Sequence, residues 1–237
     1  MTLSLSPFFA RLPLLLLLPA FLSTRAPAEP RRCVSAPPEQ TTSELDAKPI
    51  MSPSSKQSEQ TRQTLFAEAM RRGLPEDALL IVVDTASQQA RLYSSVRLQK
   101  TYRISTSKFG IGNQFGSNRT PLGWHRVSER YGAKSQPGTV FVSRAPNGRV
   151  LSASQWKSPS PAEDLVLSRI LWLTGLEPGK NAGKGIDSHE RCIYLHGTNQ
   201  EQLLGSVASH GCIRFSNADI IEIFSLSEGT ELYCLIQ

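Results

Sequence analysis

From Leu79 onward the sequence is a succession of short apolar runs broken by turn residues, and this spacing restricts the fold more than any other feature. Leu79-Leu80-Ile81-Val82-Val83-Asp84 has the length and β-branched content of a buried strand. Thr85-Ala86-Ser87 reads as a turn, residues 89–93 alternate as a second strand, and residues 96–106 continue as a third. Further strands are predicted over residues 123–127, 139–143, 167–173, 191–196 and 230–236. One later helix stands out: Ser216 is its cap, Asp219 follows in the first turn, and Ile220, Ile221, Ile223 and Phe224 form its apolar face. Many short strands with one or two short helices predict a mainly β domain, a barrel or sandwich, over residues 78–237.

The first third of the chain is of another kind. Leu12 opens an apolar stretch that runs to Leu22, preceded by Arg11 and followed by Ala26-Pro27-Ala28. A positive start, a short apolar middle and small residues at the end predict a secretory signal peptide over residues 1–28. The stretch is short of the roughly 20 apolar residues that span a bilayer, so no stable membrane span is expected. An uncleaved anchor is the alternative. A lipid-modified Cys33 is another, although Pro30-Arg31-Arg32 stand where such processing wants small apolar residues. Residues 29–63 are rich in Pro, Ser, Gln, Glu and Thr, with no aromatic between Phe21 and Phe66, and read as a disordered linker. Over residues 64–77, Leu65, Phe66, Ala69 and Met70 recur at helical spacing, with Gly73 and Pro75 as the stop.

Composition excludes several classes. Lys plus Arg number 26 against 20 Asp plus Glu, an excess too small and too scattered for a dedicated nucleic-acid binder. Four cysteines in 237 residues are too few for a disulfide scaffold. A folded unit of roughly 150 residues withdraws about 70% of its surface from water, so neither metal nor disulfide is required to hold it.

Gly110, Gly112 and Gly116 mark a loop ahead of Thr120-Pro121-Leu122-Gly123. Its spacing is not that of a phosphate-binding loop. It reads either as a plain surface loop with positive-φ turns or as the border of a substrate groove.

The chemistry gathers between His196 and Arg214. His196-Gly197-Thr198 is followed by Ser209-His210-Gly211-Cys212-Ile213-Arg214, which brings two imidazoles and a thiol into one short stretch. An imidazole beside a thiol raises its reactive fraction, so Cys212 is a candidate nucleophile with either His196 or His210 as base. If the segment is extended, His210 and Cys212 share a face and Ser209 and Gly211 the other. Gly211 would let backbone amides approach a reacting carbonyl. Two other readings remain open. In one, Cys212 pairs in a disulfide; in the other, His189, Cys192, His196, His210 and Cys212 hold zinc, though no spacing forms a familiar zinc motif. Cys192 and Cys234 lie in predicted strands and read as buried thiols or as disulfide partners, the first option favoured. His125 and His189 read as surface or polar-core residues, and Trp124, Trp156 and Trp172 as packing or as a sugar-groove lining.

The His-Gly-Thr and Ser-His-Gly-Cys blocks resemble the signature of the L,D-transpeptidases, the YkuD catalytic-domain family. The resemblance includes the opening strand ending in Asp84, the Thr120-Pro121-Leu122-Gly123 element, the helix after Ser216, and Gly229-Thr230. It implies a β-rich fold, export to the periplasm or cell envelope, and action on peptidoglycan tetrapeptide stems without a cofactor or metal. It implies Cys212 as nucleophile and His196 as base, with the Gly197 carbonyl orienting the ring. It further implies an oxyanion site from the backbone of His210, Gly211 and Cys212, with Ser209 supporting the turn. Thr198 and Arg214 are the candidate substrate contacts, Arg214 with a bracing role as its other option. The acceptor so implied is the amine of a second stem or of a protein. A related carboxypeptidase and a non-catalytic wall-binding module are the alternatives.

Overall fold

The computed structural model describes residues 55–157 and 163–237, with side chains of the first helix from residue 63. The predicted signal peptide and most of the predicted linker lie outside the described residues. Among those described, ten strands form one curled sheet and three helices flank it. The expectation of a mainly β domain holds.

Strand β1 (Leu79–Asp84) explains the arrangement of layers. It pairs in parallel with β10 (Leu232–Ile236) and antiparallel with β2 (Gln89–Ser94), so it is interior to the sheet. Alternate side chains of a strand point to opposite faces. Leu79, Ile81 and Val83 therefore join a core with Ile220, Ile223 and Phe224 of helix α3 (Asn217–Leu226), while Leu80 and Val82 meet Ala69 of helix α1 (Ser55–Arg71) on the other face. Two covered faces account for an unbroken apolar run where a half-exposed strand would alternate. Ile221 of α3 is only partly buried.

The remaining order is β3 (Arg97–Arg103) beside β2, then β10, β4 (Gly123–Tyr131) and β7 (Val166–Gly175), all antiparallel beyond β10. The hairpin of β5 (Thr139–Val142) and β6 (Ala145–Val150) attaches to the start of β7. On its other side β7 pairs with β8 (Tyr194–Thr198), which pairs in parallel with β9 (Ile213–Phe215). A short helix α2 (Ala153–Lys157) follows β6. Arg191 and Cys192 lie in a turn and Ile193 just ahead of β8, so none of the three belongs to that strand, and β6 and β9 were not expected.

Helix α1 corrects the expected boundaries: it starts at Ser55, inside the stretch read as linker, and stops at Arg71. Its first turns hold Lys, Gln and Glu, whose straight chains suit a helix without an apolar stripe. Its end is fixed by backbone geometry. Leu74 N–H donates to Ala69 O (3.2 Å) and Gly73 N–H to Met70 O (2.9 Å), with Gly73 at φ 79°. That pairing needs a left-handed residue, which glycine supplies without a Cβ clash.

Candidate active site

The parallel register of β8 and β9 builds the site. His196 pairs with Arg214 and Leu195 with Ile213, so Cys212, just ahead of β9, falls beside Tyr194. Leu195, Ile213 and Phe215 point into the core, and the alternate residues Tyr194, His196, Cys212 and Arg214 line a cavity of about 440 Å³. The two-residue period thus divides each strand between packing and chemistry.

His196 is buried, and its Nδ1 lies 2.7 Å from Gly197 O. A carbonyl only accepts, so Nδ1 carries the proton and Nε2 of the neutral ring keeps its lone pair. Burial pulls the His196 pKa down to about 4, with the Gly197 contact and Asp164 opposing. Gly197 has no room for a side chain. A Cβ there would meet Asn217 Oδ1 at 2.5 Å and Leu167 O at 2.8 Å.

Cys212 is a free thiol, so the disulfide reading does not apply to it. Its Sγ accepts the Tyr194 N–H (3.4 Å) and donates to Cys192 O (3.3 Å). Burial pushes the thiol up to about 12, although the Tyr194 amide and the charges of Arg214 and Arg191 pull the other way. The expectation that an imidazole lowers this pKa is therefore reversed, because withdrawal from water outweighs the favourable contacts. Cys234 is a buried thiol, while Cys192 is disulfide-bonded, so the two cysteines divide between the two options read for them.

Residues 210–212 form a bend rather than the extended segment that would put His210 and Cys212 on one face. Ser209 Oγ donates to Cys212 O (2.6 Å) and accepts the Gly211 N–H (3.3 Å), closing a tight turn with Gly211 at φ 123°. Among the described residues the amides of His210 and Cys212 have no acceptor. Thr120 Oγ1 donates to Gly211 O (3.0 Å) and Lys108 N–H to Ser209 O (3.1 Å). The glycine-rich loop therefore braces the turn, and its Asn118 lines the cavity, so it borders the site.

Asp164 carried no signal in the sequence, yet it ties the site together. Its Oδ2 bonds His210 Nδ1 at 2.8 Å and also meets Arg214 Nη2. The Arg214 charge and these hydrogen bonds hold the Asp164 carboxyl below its usual range, against burial. Arg214 is almost fully buried and also donates through Nη1 to Gln200 Oε1 (3.0 Å). Thr198 is fully buried away from the cavity: its Oγ1 accepts the Gln200 N–H (3.1 Å) and its carbonyl accepts from Asn217 Nδ2 (2.8 Å). Thr198 is therefore not among the residues that line the cavity, and its hydrogen bonds tie β8 to α3 and to the turn at Gln200.

The other singled-out residues serve packing. His125 is fully buried between Gly123 O and Ser188 Oγ, each 2.9 Å away. His189 stacks on Trp172 with centroids 3.8 Å apart. Trp124 and Trp172 are buried in side-chain clusters. Among the described residues no three His, Cys, Asp or Glu gather as metal ligands, and no helix is long and apolar enough to cross a membrane.

A curled sheet that presents a free cysteine and a buried, tautomer-locked histidine in one cavity defines the class as a thiol-bearing β domain. Residues 78–233 match the L,D-transpeptidase catalytic domain, YkuD, and the chain belongs to that family. The family is one of cysteine transpeptidases that act on peptidoglycan stem peptides. No curated protein matches. Among solved structures, an L,D-transpeptidase from Mycobacterium tuberculosis H37Rv is 15% identical with a TM-score of 0.41, covering 68% of this chain and 57% of that one. One from Xylanimonas cellulosilytica is 16% identical with a TM-score of 0.36, covering 72% and 68%. One from Enterococcus faecium is 17% identical with a TM-score of 0.39, covering 68% and 50%. The chain spans about three fifths of the length of the first solved structures it resembles.

Proposed function

We propose that this protein is an exported L,D-transpeptidase of the periplasm or cell envelope, which forms 3→3 cross-links or attaches stem-peptide acyl groups to an acceptor amine. The observation that carries this reading is the free Cys212 and the Nδ1-protonated His196 lining one cavity.

In the first half-reaction Sγ of Cys212 attacks the carbonyl of the third stem residue, and Nε2 of His196 takes the thiol proton as the C–S bond forms. The resting pair is neutral, so the proton moves with the attack instead of beforehand. The amides of His210 and Cys212 point to an oxyanion site, with Ser209 and Gly211 keeping the turn tight. Collapse of the intermediate breaks the C–N bond. Nε2 returns the proton to the leaving D-alanine nitrogen, and a thioester remains. In the second half-reaction a neutral amine of a second stem, or of a protein, attacks the thioester; the C–N bond forms as the C–S bond breaks, and Nε2 of His196 takes the amine's proton and returns it to the departing Cys212 sulfur. The thioester conserves the energy of the broken amide, so the cycle needs no nucleotide. His210 shapes the cavity through Asp164, and Arg214 braces the same carboxylate.

The test is incubation with disaccharide-tetrapeptide and mass analysis of products. Wild type is expected to release D-alanine and form a cross-linked dimer, and Cys212→Ala to do neither while melting as wild type does. Tripeptide alone would mark a carboxypeptidase, with water as acceptor. Absence of both products, or full activity in Cys212→Ala, would overturn the assignment.

A further inference from the structure

The cavity holds one cation whose charge no carboxylate answers. Arg214, on the same wall as the nucleophile, is neutralised by Asp164. Arg191, just ahead of β8, is not. Its Nη1 donates to Gly112 O (3.1 Å) and its Nη2 to Arg119 O (2.5 Å), both neutral carbonyls of the glycine-rich loop. Among the described residues these are its only polar partners, which leaves three of a guanidinium's five N–H groups open. The group lies close to the nucleophile. Arg119 O, which it binds, is 3.5 Å from where a Cβ on Gly211 would stand, and the Arg191 charge acts on the Cys212 sulfur. Burial also lowers the Arg191 pKa, the mark of a cation drawn from water without an opposing charge.

A rigid guanidinium with open donors and a full charge suits a carboxylate, which it can bind through two parallel hydrogen bonds. We propose that Arg191 binds the carboxylate of the D-alanine that leaves from a tetrapeptide donor, and so selects tetrapeptides over pentapeptides. The proposal rests on the transpeptidase reading for the identity of the donor. In a tetrapeptide that carboxylate is three bonds from the carbonyl carbon under attack, so holding it beside Cys212 sets the scissile amide over the sulfur. In a pentapeptide the same place is a neutral peptide carbonyl, which leaves the Arg191 charge unanswered.

Two readouts test this on the full chain. The first is alkylation of Cys212 by iodoacetate against iodoacetamide, which displaces iodide from either reagent and needs no peptide turnover. The iodoacetate/iodoacetamide rate ratio at Cys212 is expected to exceed that of a free cysteine by about tenfold or more, and to fall to the free value in Arg191→Gln. Arg191→Lys, which keeps the charge, is expected to retain most of the preference. A ratio equal to that of free cysteine, or unmoved by Arg191→Gln, overturns the proposal. If Arg191→Gln does not fold, the wild type decides: N-acetyl-D-alanine is expected to slow alkylation by iodoacetamide while its amide does not, and equal protection by the two overturns the proposal. The second readout is kcat/KM for the tetrapeptide acid against its C-terminal amide. The acid is expected to be favoured about tenfold or more, and the ratio to approach one in Arg191→Gln. A loss of rate that leaves the ratio intact marks a purely structural arginine. An iodoacetate preference in a chain that turns over neither donor keeps the anion site and removes the transpeptidase reading, so the two failures are distinguishable.

Discussion

Cys212 and His196 depart from free side chains in opposite directions for one reason: each has lost water around the form that would carry charge. The consequence is a pH profile set by the ring alone on the acid side. The value of kcat/KM for a tetrapeptide is expected to stay level from about pH 8 down to about pH 5.5 and to fall only as pH approaches 4, where His196 takes its proton. An acid limb centred near pH 6.5 would mean the ring is solvated during turnover. At this scale Cys212, His196 and Gly197 were legible because the motif is nearly continuous in sequence. Asp164 and Arg191 were not. Each stands ahead of a strand and outside the motif, and only the β7–β8–β9 pairing brings them to the cavity.

Among the elements, α3 does more than cover the sheet. Its first residue, Asn217, is buried. Its Nδ2 donates to Thr198 O and Glu201 Oε1 (both 2.8 Å), and its Oδ1 accepts from Ser168 Oγ (2.6 Å). One side chain thus joins α3, β7 and the strand that carries His196. Asn217→Ala is expected to cost about 2–4 kcal/mol in denaturant unfolding and to lower kcat/KM, since partners on all sides lose their hydrogen bonds. Asn217→Asp should cost at least as much, because an oxygen would replace the donor facing Thr198 O and Glu201. A change below about 1 kcal/mol in both would show that the network is dispensable. Ser216 caps the same helix by accepting the Asp219 N–H (3.0 Å), so Ser216→Ala should cost about 1 kcal/mol with little change in turnover. Both the cap and the strand β1 were readable, since capping and burial on two faces leave local patterns. Strand β6 was not. Its Ala-Pro-Asn-Gly-Arg-Val is exposed throughout, so no apolar pattern marks it. Strand β9 has three residues, one of them a buried arginine, and the start of α1 lacks an apolar stripe.

For the molecule as a whole, two buried histidines govern acid stability. Burial lowers both His125 and His196 to about 4. In the unfolded chain each ring binds its proton near pH 6.5, so unfolding takes up protons between about pH 6.5 and 4. Stability from these neutral rings is complete above pH 6.5 and drains as pH falls through that window, by roughly 3 kcal/mol per ring at pH 4. Thermal melts should show Tm dropping from pH 7 to pH 4.5, with a shallower slope in His125→Gln. A Tm constant over that range would show that the rings are not held neutral.

The place of β10 sets a condition on how this domain comes into being. The strand lies between β1 and β4 in the middle of the sheet, yet it is the last of the strands in chain order. Gln237 N–H still donates to Val83 O (3.0 Å), so the ladder extends to that residue. A ribosome must therefore deliver β10 before the two halves of the sheet can join, and until then β1 and β4 each present an open edge. A chain cut before Leu232 would lack the bridge between β1 and β4 and would leave two half-sheets for the cell's proteases.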